Sequence, residues 1–294
     1  MKILSFGSLN LDKVYSVDHF VRAGETLPSA KLEEFCGGKG LNQSVALARA
    51  GGEVYHAGCV GAADGGALLS MLTSSGVDVS LIRRLSCPSG HAIIQVDHGG
   101  QNCILLYGGA NRKVCKEQID ETLAQFDAGD LLVLQNEISN LSYLIEAAGR
   151  KGMVIVLNPS PMTAELLTMP LAYVSYFLLN EVEARFLCTE AVSEEEMPNR
   201  LLERFPSSKI VLTLGSRGCI YQDSTQRIVC PACRVKAVDT TAAGDTFTGF
   251  FVAAIAAGTD VKQALEQATK AAAIAVSRSG AAPSIPTREE MLAF

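Results

Sequence analysis

Ala237-Val238-Asp239-Thr240-Thr241-Ala242-Ala243-Gly244-Asp245-Thr246-Phe247-Thr248-Gly249 is the stretch from which the rest of the chain is best read. It reads as the end of a strand, a short turn of small residues and the start of a helix. Phe247, Phe250, Phe251, Ala254 and Ile255 recur on one helical face, and Gly258 supplies a stop. Small residues leave the turn's N–H groups uncovered, and the first turn of any helix has N–H groups without internal acceptors. The two together make an anion site suited to phosphate oxygens. A carboxylate there opposes the ligand that the site attracts, so Asp245 reads as a proton acceptor beside a phosphate under attack. The competing reading is an ordinary aspartate favoured by the helix dipole.

Composition sets the class. The chain has 294 residues, 48% hydrophobic and 19% charged, which is enough to bury a large core. Its net charge of −6, without a basic run, argues against a nucleic-acid surface but not against ATP, which local N–H groups and a metal ion can hold. No apolar run approaches the roughly 20 residues of a membrane span. Met1 to Phe6 is too short before Asn10 and Asp12 for a signal peptide and reads as a buried strand. Nine cysteines, odd in number and without repeated spacing, point to reduced thiols in the cytoplasm. Cys230-Pro231-Ala232-Cys233 lacks the second pair a zinc site needs, and the strand-like Arg234 to Val238 after it suits strand packing better than redox chemistry.

Apolar runs at Ile3–Phe6, Val54–Val60, Leu131–Gln135, Val154–Asn158, Tyr176–Asn180 and Ile210–Leu214 read as strands. Helical patterns at Leu41–Ala50, Gly66–Ser75, Leu141–Arg150, Glu194–Arg204 and Val261–Ser277 alternate with them. This predicts a three-layer α/β/α domain with a mostly parallel sheet covered on both faces. Two segments, roughly residues 12–36 and 91–107, alternate like strands instead. The second is a hairpin, His91–Asp97 and Asn102–Tyr107, turning through His98 to Gln101. Both are expected to form a small β lid on a single domain spanning 1–294. Ligands of open α/β sheets sit at the carboxyl ends of the strands. Asn10 and Asp12, Gln135-Asn136-Glu137, Asn180 and Glu183, and Thr213 to Gly218 all fall there. Each group alone also suits capping or loop solvation. Gly37-Gly38-Lys39-Gly40-Leu41-Asn42-Gln43 is not a Walker A loop, since Lys39 is followed by glycine and no glycine stands four residues before Gly38. Its glycines permit close backbone approach to a small ligand, with Lys39 and Asn42 as donors, or simply make a flexible turn. No G-x-G-x-x-G follows the first strand, which weakens a dehydrogenase reading.

Asn10-Leu11-Asp12, the Gly37 to Gln43 loop, Asn180-Glu181-Val182-Glu183, Thr213 to Gly218, Asp239 to Phe247 and the tail Ala271 to Ser284 form an ordered set along the whole chain. That set resembles the ribokinase-like (PfkB) sugar kinases. The resemblance implies an ATP-dependent kinase of a sugar's primary hydroxyl, with D-ribose as first expectation. Deoxyribose, 2-keto-3-deoxygluconate or a nucleoside are the alternatives, and a silent sugar-binding regulator the more distant one. It implies Asp245 as general base, with an anion hole at Ala242, Ala243 and Gly244. Asn10, Asp12, Gly38, Lys39, Gly40, Asn42 and Glu137 would hold the sugar. Asn180 and Glu183 would position Mg²⁺ and phosphates through water, and Thr213, Gly215, Ser216, Gly218 and Thr269 would line the nucleotide site. A monovalent cation, usually K⁺, would lie on Asp239, Thr241, Ala275, Arg278, Gly280 and Ser284. Relatives often dimerise through the lid. Leu11, Leu41 and Thr269 depart from the commoner alanines and the commoner histidine or asparagine of the family.

Overall fold

The computed structural model describes residues 1–189 and 192–294. Its strands are β1 (Ile3–Phe6), β2 (Asn10–Ser16), β3 (Lys31–Gly37), β4 (Val54–Gly61), β5 (Asp78–Leu85), β6 (Gly90–Val96), β7 (Asn102–Tyr107), β8 (Leu131–Gln135), β9 (Val154–Asn158), β10 (Val174–Asn180), β11 (Lys209–Thr213), β12 (Cys219–Gln222) and β13 (Arg227–Cys230). The α-helices are α1 (Lys39–Arg49), α2 (Gly66–Ser74), α3 (Lys116–Leu123), α4 (Leu141–Lys151), α5 (Glu181–Cys188), α6 (Met197–Arg204), α7 (Ala243–Ala256), α8 (Val261–Val276) and α9 (Arg288–Ala293).

The main sheet has nine strands in the order β13-β12-β11-β10-β9-β8-β1-β4-β5. It is parallel from β11 to β5, and the β12–β13 hairpin adds antiparallel strands at one edge. Side chains alternate across the central strands: Ile3 joins the core packed with α1, α7 and α8, whereas Leu4 and Phe6 join the core on the opposite face. Burial on both faces is what the unbroken apolar runs demand. All six predicted strands form. The lid is a separate sheet, β3-β2-β6-β7, in which β2 pairs antiparallel with β3 and parallel with β6. The β6–β7 hairpin turns where expected, with the Gly100 N–H donating to the Asp97 carbonyl at 3.0 Å. No helix among the described residues is long and apolar enough to cross a membrane.

Two local expectations are corrected. The helix expected from Glu194 starts at Met197, with Pro198 in its first turn, where a missing N–H costs nothing. Arg234 to Val238 forms no strand: Val235 and Ala237 line a cavity, and the Val238 and Asp239 N–H groups both turn to the Val276 carbonyl, at 2.8 and 3.2 Å. Alternation alone does not make a strand when the backbone N–H groups find partners on a neighbouring helix.

Helices α1 and α7 pack backbone to backbone. A Cβ on Gly249 would stand 2.3 Å from Ala46 Cβ and 2.7 Å from the Leu47 nitrogen. Gly249→Val therefore overfills the contact, and the expected destabilisation is about 1–3 kcal/mol. A melting temperature unchanged from the parent's would contradict this packing.

Candidate active site

Ala242, immediately before α7, has φ 59° and ψ 10°, a left-handed conformation uncommon outside glycine. Contacts on both sides hold it there. The Thr246 N–H and hydroxyl both donate to the Ala242 carbonyl at 2.8 Å. The Asp239 carboxylate accepts from the N–H groups of Thr241 and Gly280, each at 2.9 Å. This bent entry sets the first turn of α7 against a cavity of about 240 Å³, walled by Ala242, Ala243, Gly244, Asp245, Lys39, Asn180, Glu183 and Thr213, with the Ala243 N–H itself donating to the Thr240 carbonyl at 3.3 Å. Asp245 is buried, and its carboxylate accepts from Asn42 Nδ2 at 3.1 Å and Gln43 Nε2 at 2.9 Å.

The Gly37–Gly40 loop wraps the end of β1. Gly38 has φ 93°, and a Cβ on Gly40 would come within 2.4 Å of the Ser8 nitrogen. The glycines thus serve a close approach, and Lys39 opens α1 beneath it. The Lys39 N–H reaches Glu137 Oε2 at 3.3 Å, and the Ser8 hydroxyl donates to the same oxygen. Burial of the Lys39 ammonium works against its charge, but Asp245, Glu137 and Glu183 outweigh it and raise its pKa. Asp12, on β2 at the lid's root, is pushed up to about 6 by burial and by the Glu137 charge. Asn10 is fixed by Asn111, whose amide donates to Asn10 Oδ1 at 2.8 Å. A cavity of about 220 Å³ opens between Asn10, Glu137, Asn111, Arg112 and Leu106.

On the other side of the turn lies a cavity of about 570 Å³, whose walls include Thr213, Gly215, Ser216, Gly218 and Thr269. It shares Thr213, Thr240, Ala243 and Gly244 with the cavity around Asp245. Thr269 turns its hydroxyl toward Cys230 and Cys219, 3.7 and 3.9 Å away. Cys230 stands opposite Cys219 in the β12–β13 ladder, and Cys233 lies on the cavity wall, so the Cys-x-x-Cys pair is divided between packing and surface. All nine cysteines are free thiols.

Asn180 and Glu183 form a capping box at the start of α5. Asn180 Oδ1 accepts from the Glu183 N–H at 2.9 Å, and Glu183 Oε2 accepts from the Asn180 N–H at 3.0 Å. Burial raises the Glu183 pKa against these donors. Among the residues expected to hold a monovalent cation, the Asp239 carboxylate joins the 239–241 turn to Gly280, and the Arg278 N–H donates to the Ala275 carbonyl at 3.1 Å. The Arg278 side chain pairs with Glu290 at 2.7 Å, which leaves only its carbonyl for such a role. Ser284 is buried, its hydroxyl donating to the Ala281 carbonyl at 2.8 Å.

Lys39, Asn180, Glu183 and Thr213 thus meet the 242–245 turn at one cavity and Asn42 bonds Asp245, whereas Asn10 and Glu137 line a separate one. The sequence places Gln135 at the ligand end of the sheet without a role and gives none to Gln43, Asn111 or Asn158, although each is an amide in or beside an apolar element. That mismatch was the available signal.

The chain matches the family model described as pfkB family carbohydrate kinase over residues 1–288. It is 36% identical to a ribokinase of Haemophilus influenzae over 299 residues, covering 98% of this chain and 96% of the relative. A solved ribokinase of Cryptococcus neoformans in complex with ADP superposes with a TM-score of 0.88 at 32% identity, covering 99% of both chains. A ribokinase of Arabidopsis thaliana complexed with ribose and ATP gives 0.87 at 26% identity, covering 99% of this chain and 97% of that one. The chain belongs to the pfkB family of carbohydrate kinases.

The burial of Asp12 beside Glu137 has a direct test. Carboxyl ¹³C titration should give Asp12 a midpoint near 6. Glu137→Gln removes the like charge and should move that midpoint down. A parent midpoint at the ordinary 3.8 would refute the account.

Proposed function

We propose that this protein transfers the γ-phosphoryl group of ATP to the primary hydroxyl of D-ribose, giving ribose 5-phosphate and ADP. The observation that carries the reading is the shared wall of the two cavities. Ala243 and Gly244 belong to that wall and Asp245 lines the smaller cavity beside it, an arrangement that would suit a sugar meeting a triphosphate there. Asn42 Oδ1 is buried without a hydrogen-bond partner among the described residues, an acceptor suited to a sugar hydroxyl. Lys39 lines the cavity around Asp245, and Asn10 and Glu137 line the cavity of about 220 Å³; with Asp12, Gly38 and Gly40 they would grip the other hydroxyls. The ribose- and ATP-bound relative supports ribose over the other sugars.

In this reading Asp245 accepts the proton as the hydroxyl oxygen bonds to phosphorus and the bond to ADP breaks. The N–H groups at the entry of α7, together with the Lys39 ammonium, hold the charge on the moving phosphoryl group. Positioning and electrostatics carry most of the acceleration. Thr213, Gly215, Ser216, Gly218 and Thr269 would seat the nucleoside. Oxygen donors suit a hard divalent ion, and Glu183 and Asn180, whose polar atoms already bond one another, fit a hold on Mg²⁺ through water. Such an ion supplies charge neutralisation between the phosphates. The carbonyl- and carboxylate-rich turn at Asp239, Thr241, Ala275, Arg278, Gly280 and Ser284 fits a K⁺ ion that stiffens the anion hole. Free thiols throughout suit the cytoplasm.

Release of ADP from ATP-Mg²⁺ with a panel of pentoses, deoxy sugars, keto acids and nucleosides tests this reading. Ribose should be turned over fastest, and faster in K⁺ than in Na⁺. Asp245→Asn should reduce turnover by about 10²–10⁴-fold, with melting preserved. A different preferred sugar would move attention to Leu11 and Leu41. Binding without turnover would favour a silent regulator.

We also propose a homodimer through the lid. Strand β7 is exposed along its length, with Ile104 at 56%, Leu105 at 68% and Tyr107 at 50% exposure, an edge that a second copy would cover. Light scattering should report a dimer for the parent and a monomer for Leu105→Lys. A monomeric parent at micromolar concentration would rule this out.

A further inference from the structure

Behind Asp245 runs a buried chain of amides that the reaction itself does not touch. Gln43 Nε2 donates to Asp245 Oδ1 at 2.9 Å, and Gln43 Oε1 accepts from Gln135 Nε2 at 2.7 Å. Both glutamines are fully buried, and Gln135 Oε1 has no hydrogen-bond partner among the described residues. Gly7 makes room for it, since a Cβ there would stand 2.2 Å from Gln135 Oε1. Burying two primary amides, one of them incompletely satisfied, costs stability that an apolar pair of the same size would not. Packing gives no reason for glutamine at either position.

We propose that Gln43, braced by Gln135, is the positioning residue for Asp245, and that the pair ties the sugar-side loop to the base. The inference rests on Asp245 acting as the general base. A carboxylate held on one oxygen can still swing about its Cβ–Cγ bond. Asn42 holds Oδ2 and Gln43 holds Oδ1, so the plane of the group is fixed from both edges. Asn42 keeps an Oδ1 without a partner among the described residues, whereas Gln43 is anchored from behind by Gln135. Gln135 ends β8 only two residues before Glu137, so the strand that presents a sugar ligand also sets the orientation of the base. A misplacement of about 1 Å at a reacting group can cost 10²-fold in rate, which is the scale on which such bracing acts.

The test compares Gln43→Met, Gln135→Met, the double variant and Asp245→Asn in full-length enzyme with ribose and ATP. Gln43→Met should lower kcat by about 10²-fold. Its KM values for ribose and ATP should stay within about twofold of the parent's and its melting temperature should be equal or higher, as expected when only transition-state positioning is lost. Gln135→Met should lower kcat less, and the double variant should be no worse than Gln43→Met, because the two act in series. A parental kcat in Gln43→Met, with Asp245→Asn inactive, overturns the inference and leaves the base reading standing. Activity retained in Asp245→Asn removes the base reading instead. If Gln43→Met does not fold, Gln135→Met decides: a reduced kcat at unchanged KM supports the brace, and a parental kcat overturns it.

Discussion

The backbone contact between Gly249 of α7 and Ala46 of α1 is the constraint on which the arrangement of the site depends. Asn42 lies four residues before Ala46, and Asp245 four residues before Gly249, so each side chain sits one helical turn, about 5.4 Å, from the contact. Helices that carry ordinary side chains at their crossing stand farther apart, and the distance between them varies with those side chains. Here the absence of a side chain at residue 249 brings the amides of Asn42 and Gln43 within hydrogen-bond reach of a short carboxylate. Glutamate at 245 would restore the reach across a wider gap but not the rigidity.

Charge is arranged with similar economy. Lys39 is the cation common to Asp245, Glu137 and Glu183, which come from different elements. Without it the carboxylates would meet as like charges in a partly dry space, and Asp12 already registers that repulsion. The left-handed Ala242 is a second concession to the same geometry. A conformation that costs of order 1 kcal/mol for alanine is held in place by Thr246 on one side and by the Asp239 turn on the other.

The layers and the central strands were legible because apolar runs buried on both faces leave little freedom of interpretation. Charged residues such as Asp12 and Glu137, near the ends of apolar strands, and Asp245, in the first turn of a helix beside an anion site, stood out because a carboxylate in such a place asks for an explanation. The amides were not. Gln43 and Gln135 carry no charge, and whether they face solvent or one another is settled only when α1 is laid against β8. Arg234 to Val238 failed for a related reason, since its alternation is real but the Val238 N–H turns to the Val276 carbonyl at the end of α8 and not to the edge strand β13. Short elements such as α3, α5 and β13 were missed because about two helical turns, or a four-residue strand, give too few periods to read.

Strand β2 begins with Asn10 and Asp12 and continues as the second strand of the lid. The floor of the pocket and its cover are thus one piece of chain. With Asn10 and Asp12 as the proposed sugar ligands, any displacement of the cover would re-aim both, and recognition would depend on where the cover comes to rest. A poorly matched sugar would then be bound yet left short of the alignment that turnover requires.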